Sequence, residues 1–183
     1  AQKRELRKIE SAVESGNLAE AQEIFATINE AEVEEKYKAQ YLFYKSASVS
    51  GVIDKKKTTY EEIKEAEGYL MDAEKMGYKD ENFVPVVKRA ITSRKIEIAN
   101  DKLVAGNTEE GLQIIDDIYK SDTSNKDMLF SSAQISYQMQ DYDAALEKYQ
   151  ELFDLGYTGQ KTNYYATNIS TGQEETFLNR KIM

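Results

Sequence analysis

The sequence predicts an all-α fold of antiparallel helix pairs, on three observations. One pattern recurs four times: a small residue, then residues four and seven later, as Ala21/Phe25/Ile28, Ala66/Leu70/Ala73, Gly111/Ile115/Ile118 and Ala145/Tyr149/Leu152. Tight polar turns precede three of these stripes, at Gly16-Asn17-Leu18, Gly106-Asn107-Thr108 and Gln140-Asp141-Tyr142. One proline against nine glycines, with 31% charged residues, leaves no proline-rich linker and favours helix.

The stripe has a packing rationale. Residues i, i+4 and i+7 share one helix face. A small residue at its head lets the preceding antiparallel helix approach closely, and the large residues fill the space below. A single hairpin has too little apolar surface to stand alone, so neighbours must stack. The small heads lie 45, 45 and 34 residues apart, the last being the length of a helical-hairpin repeat and the others leaving room for insertions.

In chain order the pattern predicts helices over 2–14, 18–29, 32–49, 60–76, 82–105, 109–120, 126–139 and 143–155. Pro85 fits the first turn of the fifth. The stripes of the second and fourth hairpins each end in Gly-Tyr, at Gly77-Tyr78 and Gly156-Tyr157. The first helix of the second hairpin is the hardest to register, because the looser stretch Ser50–Thr59 replaces the short turn. Beyond 156 the helical period is lost: KTNYYATNISTGQEETF alternates, and Ser170-Thr171-Gly172 would turn a β-hairpin. The chain divides accordingly into a helical domain, 1–156, and an extended or β-hairpin tail, 157–183.

These residues resemble the tetratricopeptide repeat family. The motif is carried by Asp141-Tyr142 with Ala145, Tyr149 and Leu152, preceded by Leu129 and Ala133, and by Gly16-Asn17-Leu18 with Ala21 and Phe25. Gly106-Asn107 with Ala99 also matches. The family's proline after each second helix and its aromatic early in the first helix are missing. The resemblance spans roughly Gln2 to Tyr157 and implies a right-handed superhelix of about four helix pairs. Around GYTGQKTNYYATN the chain looks like exported tetratricopeptide proteins of Gram-negative bacteria. That likeness implies a periplasmic or otherwise exported location, the cytoplasm being the alternative, and a chain continuing beyond this segment. The opening Ala-Gln resembles the pair left near a signal-peptide cleavage site.

Charge and absences narrow the chemistry. The net charge of −9 opposes general binding to nucleic acid or anionic lipid. No apolar run approaches the roughly 18 residues a membrane-spanning helix needs. His, Cys and Trp are absent, which excludes Ser–His and Cys–His catalysis and the usual zinc sites. No metal or cofactor is called for. The carboxylates Glu10, Glu14, Glu109, Glu110, Asp116 and Asp117 read as solvated helix faces, since 33 acidic residues guarantee chance pairs. The stretch Asp116–Asp127 has the composition of a calcium loop without its ligand spacing, central glycine or closing glutamate, so Asn125 or Asp127 is expected to cap the next helix. Lys55-Lys56-Lys57 reads as a soluble loop and Asn168-Ile169-Ser170 as a chance sequon.

The thirteen tyrosines are more informative. Tyr37, Tyr41 and Tyr44 form a stripe beside Phe43; core packing is one role, and a peptide groove, where Tyr gives large contact area at low entropy cost, is the other. The family's pattern on the first helices implies a concave binding face with Lys3, Arg7 and Glu10 in the first pair. It adds Arg94 and Asn100 in the third, and Phe130, Gln134 and Tyr137 in the fourth. Some relatives grip a C-terminal carboxylate with such Lys, Arg and Asn residues; only fragments of that set occur here. The expected function is a non-catalytic scaffold binding a protein or peptide through Lys3, Arg7, Tyr41, Arg94, Asn100, Phe130, Gln134 and Tyr137. The rival is a carboxylate-based glycan hydrolase or a glycan-binding component of an exported uptake system.

Overall fold

The small head of each stripe is where two helices come closest. Ala21, Ala66, Gly111 and Ala145 are all buried. At Gly111 a methyl group would lie 2.7 Å from the Leu103 side chain and 3.1 Å from the Ala99 carbonyl oxygen, so the absent side chain sets the approach of the two helices. At Ala66 the carbonyl oxygen accepts a 2.6 Å hydrogen bond from the Ser46 hydroxyl of the preceding helix. Small residues therefore meet across this pair from both sides.

The computed structural model describes residues 2–50, 58–160, 164–167 and 174–177. Among them are eight α-helices: α1 Gln2–Glu14, α2 Leu18–Thr27, α3 Glu35–Val49, α4 Tyr60–Lys75, α5 Val84–Val104, α6 Thr108–Ser121, α7 Lys126–Gln138 and α8 Tyr142–Asp154. Each odd-numbered helix packs on the even-numbered one after it. Two strands follow, β1 Tyr164–Thr167 and β2 Glu174–Phe177, paired antiparallel with Tyr164 opposite Phe177. The expected turn at Ser170-Thr171-Gly172 lies outside the described residues.

Local chemistry moves some boundaries. The second helix ends at Thr27 rather than Asn29, because Ile28 is extended and Asn29 accepts from the Ala31 N–H to start a single 3₁₀ turn, Glu30–Glu32. α3 consequently starts at Glu35. α4 opens with a reciprocal capping box between Thr59 and Glu62. α5 starts at Val84, after the Asp80 carboxylate has taken the N–H groups of Asn82 and Phe83, and Pro85 lies in its first turn as expected.

Five helix ends close in the same way. Gly16, Gly77, Gly106, Gln140 and Gly156 have positive φ; each N–H bonds the carbonyl three residues back, and the next N–H reaches five back. This is the Schellman arrangement, which satisfies carbonyls that a helix end leaves open. It explains why the stripes stop at Gly77-Tyr78 and Gly156-Tyr157.

The chain forms two compact units, Ala1–Ser124 and Asn125–Met183. In the first, α3 is covered on nearly every side. Phe43 stacks on Tyr78 at 4.4 Å between ring centroids and meets Tyr44 and Phe83 edge-on. Burial, with a hydrogen bond to Glu10, pushes the Tyr44 hydroxyl well above the ordinary tyrosine range. Lys95 is 2% exposed and bonds Glu67 of α4 at 2.5 Å. A buried cation so held is tolerable only with its partner. Lys88 and Glu74, at 2.7 Å, make a second, more exposed bridge from α5 to α4.

In the second unit Tyr157 packs against Phe130 at 5.7 Å, as Tyr78 does against Phe43. This correspondence supplies the register the sequence obscures. Phe43 lies 23 residues before Ala66, and Phe130 lies 15 before Ala145, so the second hairpin carries eight extra residues between these two positions. Leu42, Phe43 and Ser46 then stand where Leu129, Phe130 and Ala133 stand.

Candidate functional site

The α7–α8 hairpin gathers side chains that the rest of the chain would bury. Its core side is ordinary: Leu129, Ser132, Ala133, Ile135 and Ser136 of α7, with Ala145 and Leu152 of α8, are buried. The Lys148 ammonium donates to the Ser136 hydroxyl at 3.1 Å, and Lys126 donates to the Leu155 carbonyl at 2.8 Å, tying the two helices together. Asp141 caps α8 by accepting from the Ala144 N–H.

Along one edge of this hairpin lies a row of rings. Phe130, Gln134 and Tyr137 share a face of α7 at i, i+4 and i+7, with Phe130 half-buried and the other two exposed. Tyr137, 59% exposed, meets Tyr142 edge-on at 5.5 Å. At the other end Phe130 touches Tyr149 at 6.3 Å. The Tyr157 hydroxyl donates to Asp127 at 2.6 Å, which raises its pKa. Asp127 thus anchors a ring, while Asn125 occupies the cap position of α7 without a side-chain capping bond.

The remaining expected residues lie in the first unit. Tyr41 is corrected outright: it is 2% exposed, packs edge-on against Phe25 at 5.5 Å, and has no surface to offer a partner. Arg94 is also committed to the fold. Its Nε and Nη2 donate to the Thr58 carbonyl at 3.0 and 2.7 Å, Nη1 pairs with Glu97, and the side chain is 16% exposed. Lys3, Arg7 and Asn100 are exposed, the first two beside Arg4 and Lys8 on α1. Of the eight expected residues, the structure brings together Phe130, Gln134 and Tyr137.

Carboxylates are likewise drawn into local contacts. Glu10 accepts from Tyr44 at 2.9 Å, Asp117 from Tyr60 at 2.5 Å, and Glu110 pairs with Lys102. No group of three or more metal-ligating side chains occurs among the described residues. A cleft between α4, α5 and the end of α6 is lined by Leu70, Met71, Ile91 and Thr92 and spanned by the Glu74–Lys88 bridge. Lys55–Lys57 and the sequon at Asn168 lie outside the described residues. No described helix is long and apolar enough to cross a membrane.

One group was missed in the sequence. Tyr142, Leu146, Tyr149 and Phe153 form a second stripe on α8, with Leu146 68% and Phe153 77% exposed. Its 4-3-4 spacing is readable in the sequence, but Tyr149 also belongs to the Ala145 packing stripe, which masks it. No family model, curated protein or solved structure matches the chain.

Proposed function

We propose that the chain is a non-catalytic scaffold that binds a protein or peptide, with Phe130, Gln134 and Tyr137 as its main contact row. The observation that supports this most is the exposed Tyr137–Tyr142 ring pair beside the Gln134 amide. Tyrosine rings offer apolar area with little side-chain entropy to lose, and an amide beside them can donate to and accept from a peptide backbone. A tetratricopeptide-like array would place this row on its concave side.

The test is affinity for a partner recovered by pull-down from the native host. A Gln134→Ala/Tyr137→Ala variant, altered only at exposed positions, should keep its melting temperature and bind about tenfold more weakly or worse, as expected of a tyrosine hot spot. A Lys75→Ala/Lys79→Ala control should bind normally. Unchanged affinity in the α7 variant rejects the row.

A further inference from the structure

The α8 stripe has an internal template. Aligning Ala66/Leu70/Ala73 on Ala145/Tyr149/Leu152 places Ile63, Glu67, Leu70 and Glu74 of α4 where Tyr142, Leu146, Tyr149 and Phe153 stand on α8. On α4 this stripe is the seat of another helix: α5 lies along it, with Lys95 on Glu67 at 2.5 Å and Lys88 on Glu74 at 2.7 Å. Ile63 and Leu70 are buried there. On α8 the corresponding four residues are all apolar and at least 37% exposed.

The charges move as well. Where α4 has Glu67 and Glu74, α8 has Leu146 and Phe153, and its carboxylates stand one position further round, at Glu147 and Asp154, with Asp143 in line one turn earlier. All three are exposed. They border the outer side of the stripe, while Ala145 and Leu152 on the inner side are buried.

We infer that the α8 stripe is a docking seat for an amphipathic helix of another polypeptide. The geometry calls for apolar residues at four-three-four spacing where α5 carries Lys88 and Lys95. It also calls for a Lys or Arg row on one border to meet Asp143, Glu147 and Asp154. The stripe spans twelve residues, about 16 Å of helix from first to last, which three turns of a partner would cover. A second copy of α8 is a poor occupant, because an antiparallel pairing of the two stripes would set two acidic rows together, and in either direction neither copy supplies the basic border on a chain of net charge −9. This seat is built from α8; it shares Tyr142 with the ring pair proposed above, and its test turns on Leu146 and Phe153, which that row does not use.

The test uses two synthetic helical peptides of about twenty residues, each with leucines at four-three-four spacing and bordered by lysines in one and glutamates in the other. The intact chain should bind the lysine peptide at least tenfold more tightly than the glutamate peptide, with affinity falling as salt rises. A Leu146→Ala/Phe153→Ala variant should melt like the parent and bind at least tenfold more weakly, while Gln134→Ala should leave this binding unchanged. No binding of the lysine peptide, equal binding of both peptides, or equal binding by parent and variant overturns the inference. So does light scattering that shows the parent dimerising through this stripe and the variant monomeric.

Discussion

The α3–α4 and α7–α8 hairpins are built alike and end up in different surroundings. Both have a small head residue, Ala66 or Ala145, and both close with a Gly-Tyr pair whose ring packs on a phenylalanine of the first helix. Yet Phe43 is fully buried under Tyr44, Tyr78 and Phe83, while its counterpart Phe130 is half-buried. The α4 stripe is roofed by α5 through two ion pairs, and the α8 stripe presents Leu146 and Phe153 to solvent. What makes a hairpin is local, and what makes a core is the neighbour.

The largest effect should separate the two directly. Phe43→Ala removes a fully buried ring and should cost about 3–5 kcal/mol, whereas Phe153→Ala should stay within about 0.5 kcal/mol. Chemical denaturation of both variants checks this. A large loss at Phe153 would mean that α8 is covered in solution.

A smaller effect probes what the hairpins share. Ala145→Leu overpacks the α7–α8 contact and should cost about 1–3 kcal/mol despite the exposed surface nearby. If it melts like the parent, the head of the stripe is not a helix–helix contact in this hairpin.

The smallest effect at neutral pH sharpens the comparison at high pH. The Tyr44 and Tyr60 hydroxyls, raised by burial and by hydrogen bonds to Glu10 and Asp117, stay protonated in the fold above the pH at which an unfolded tyrosine, near 10, ionises. For a raised pKa the stability is complete below the unfolded value and lost above it. The first unit should therefore weaken as pH climbs past about 10, and Tyr44→Phe with Tyr60→Phe should flatten that decline in pH-dependent melts. An unaltered alkaline slope would place its origin elsewhere.

Helix order, the four small heads and the Gly-Tyr stops were legible because each is local: a period of 3.6 and a residue able to adopt positive φ. Tyr41 was misread because its stripe is apolar on several sides at once, and only the packing of α2 shows that it is covered. Arg94 was misread for a different reason. Its partner, the Thr58 carbonyl, is 36 residues away, at the end of the looser stretch that hid the register of α3. The α7 row was legible as a helical face, but sequence could not distinguish exposed Tyr137 from buried Tyr44.

The five self-closed helix ends carry a consequence for how such a chain can grow. Each is closed by backbone bonds that reach no more than five positions, so the stop itself does not depend on the element that comes next. A gene segment copied or excised between two such ends would leave these closing bonds intact at either seam. Lineages could therefore change the number of hairpins by duplication without inventing a new stop, and a designer could insert one at the α4–α5 joint that Gly77 closes.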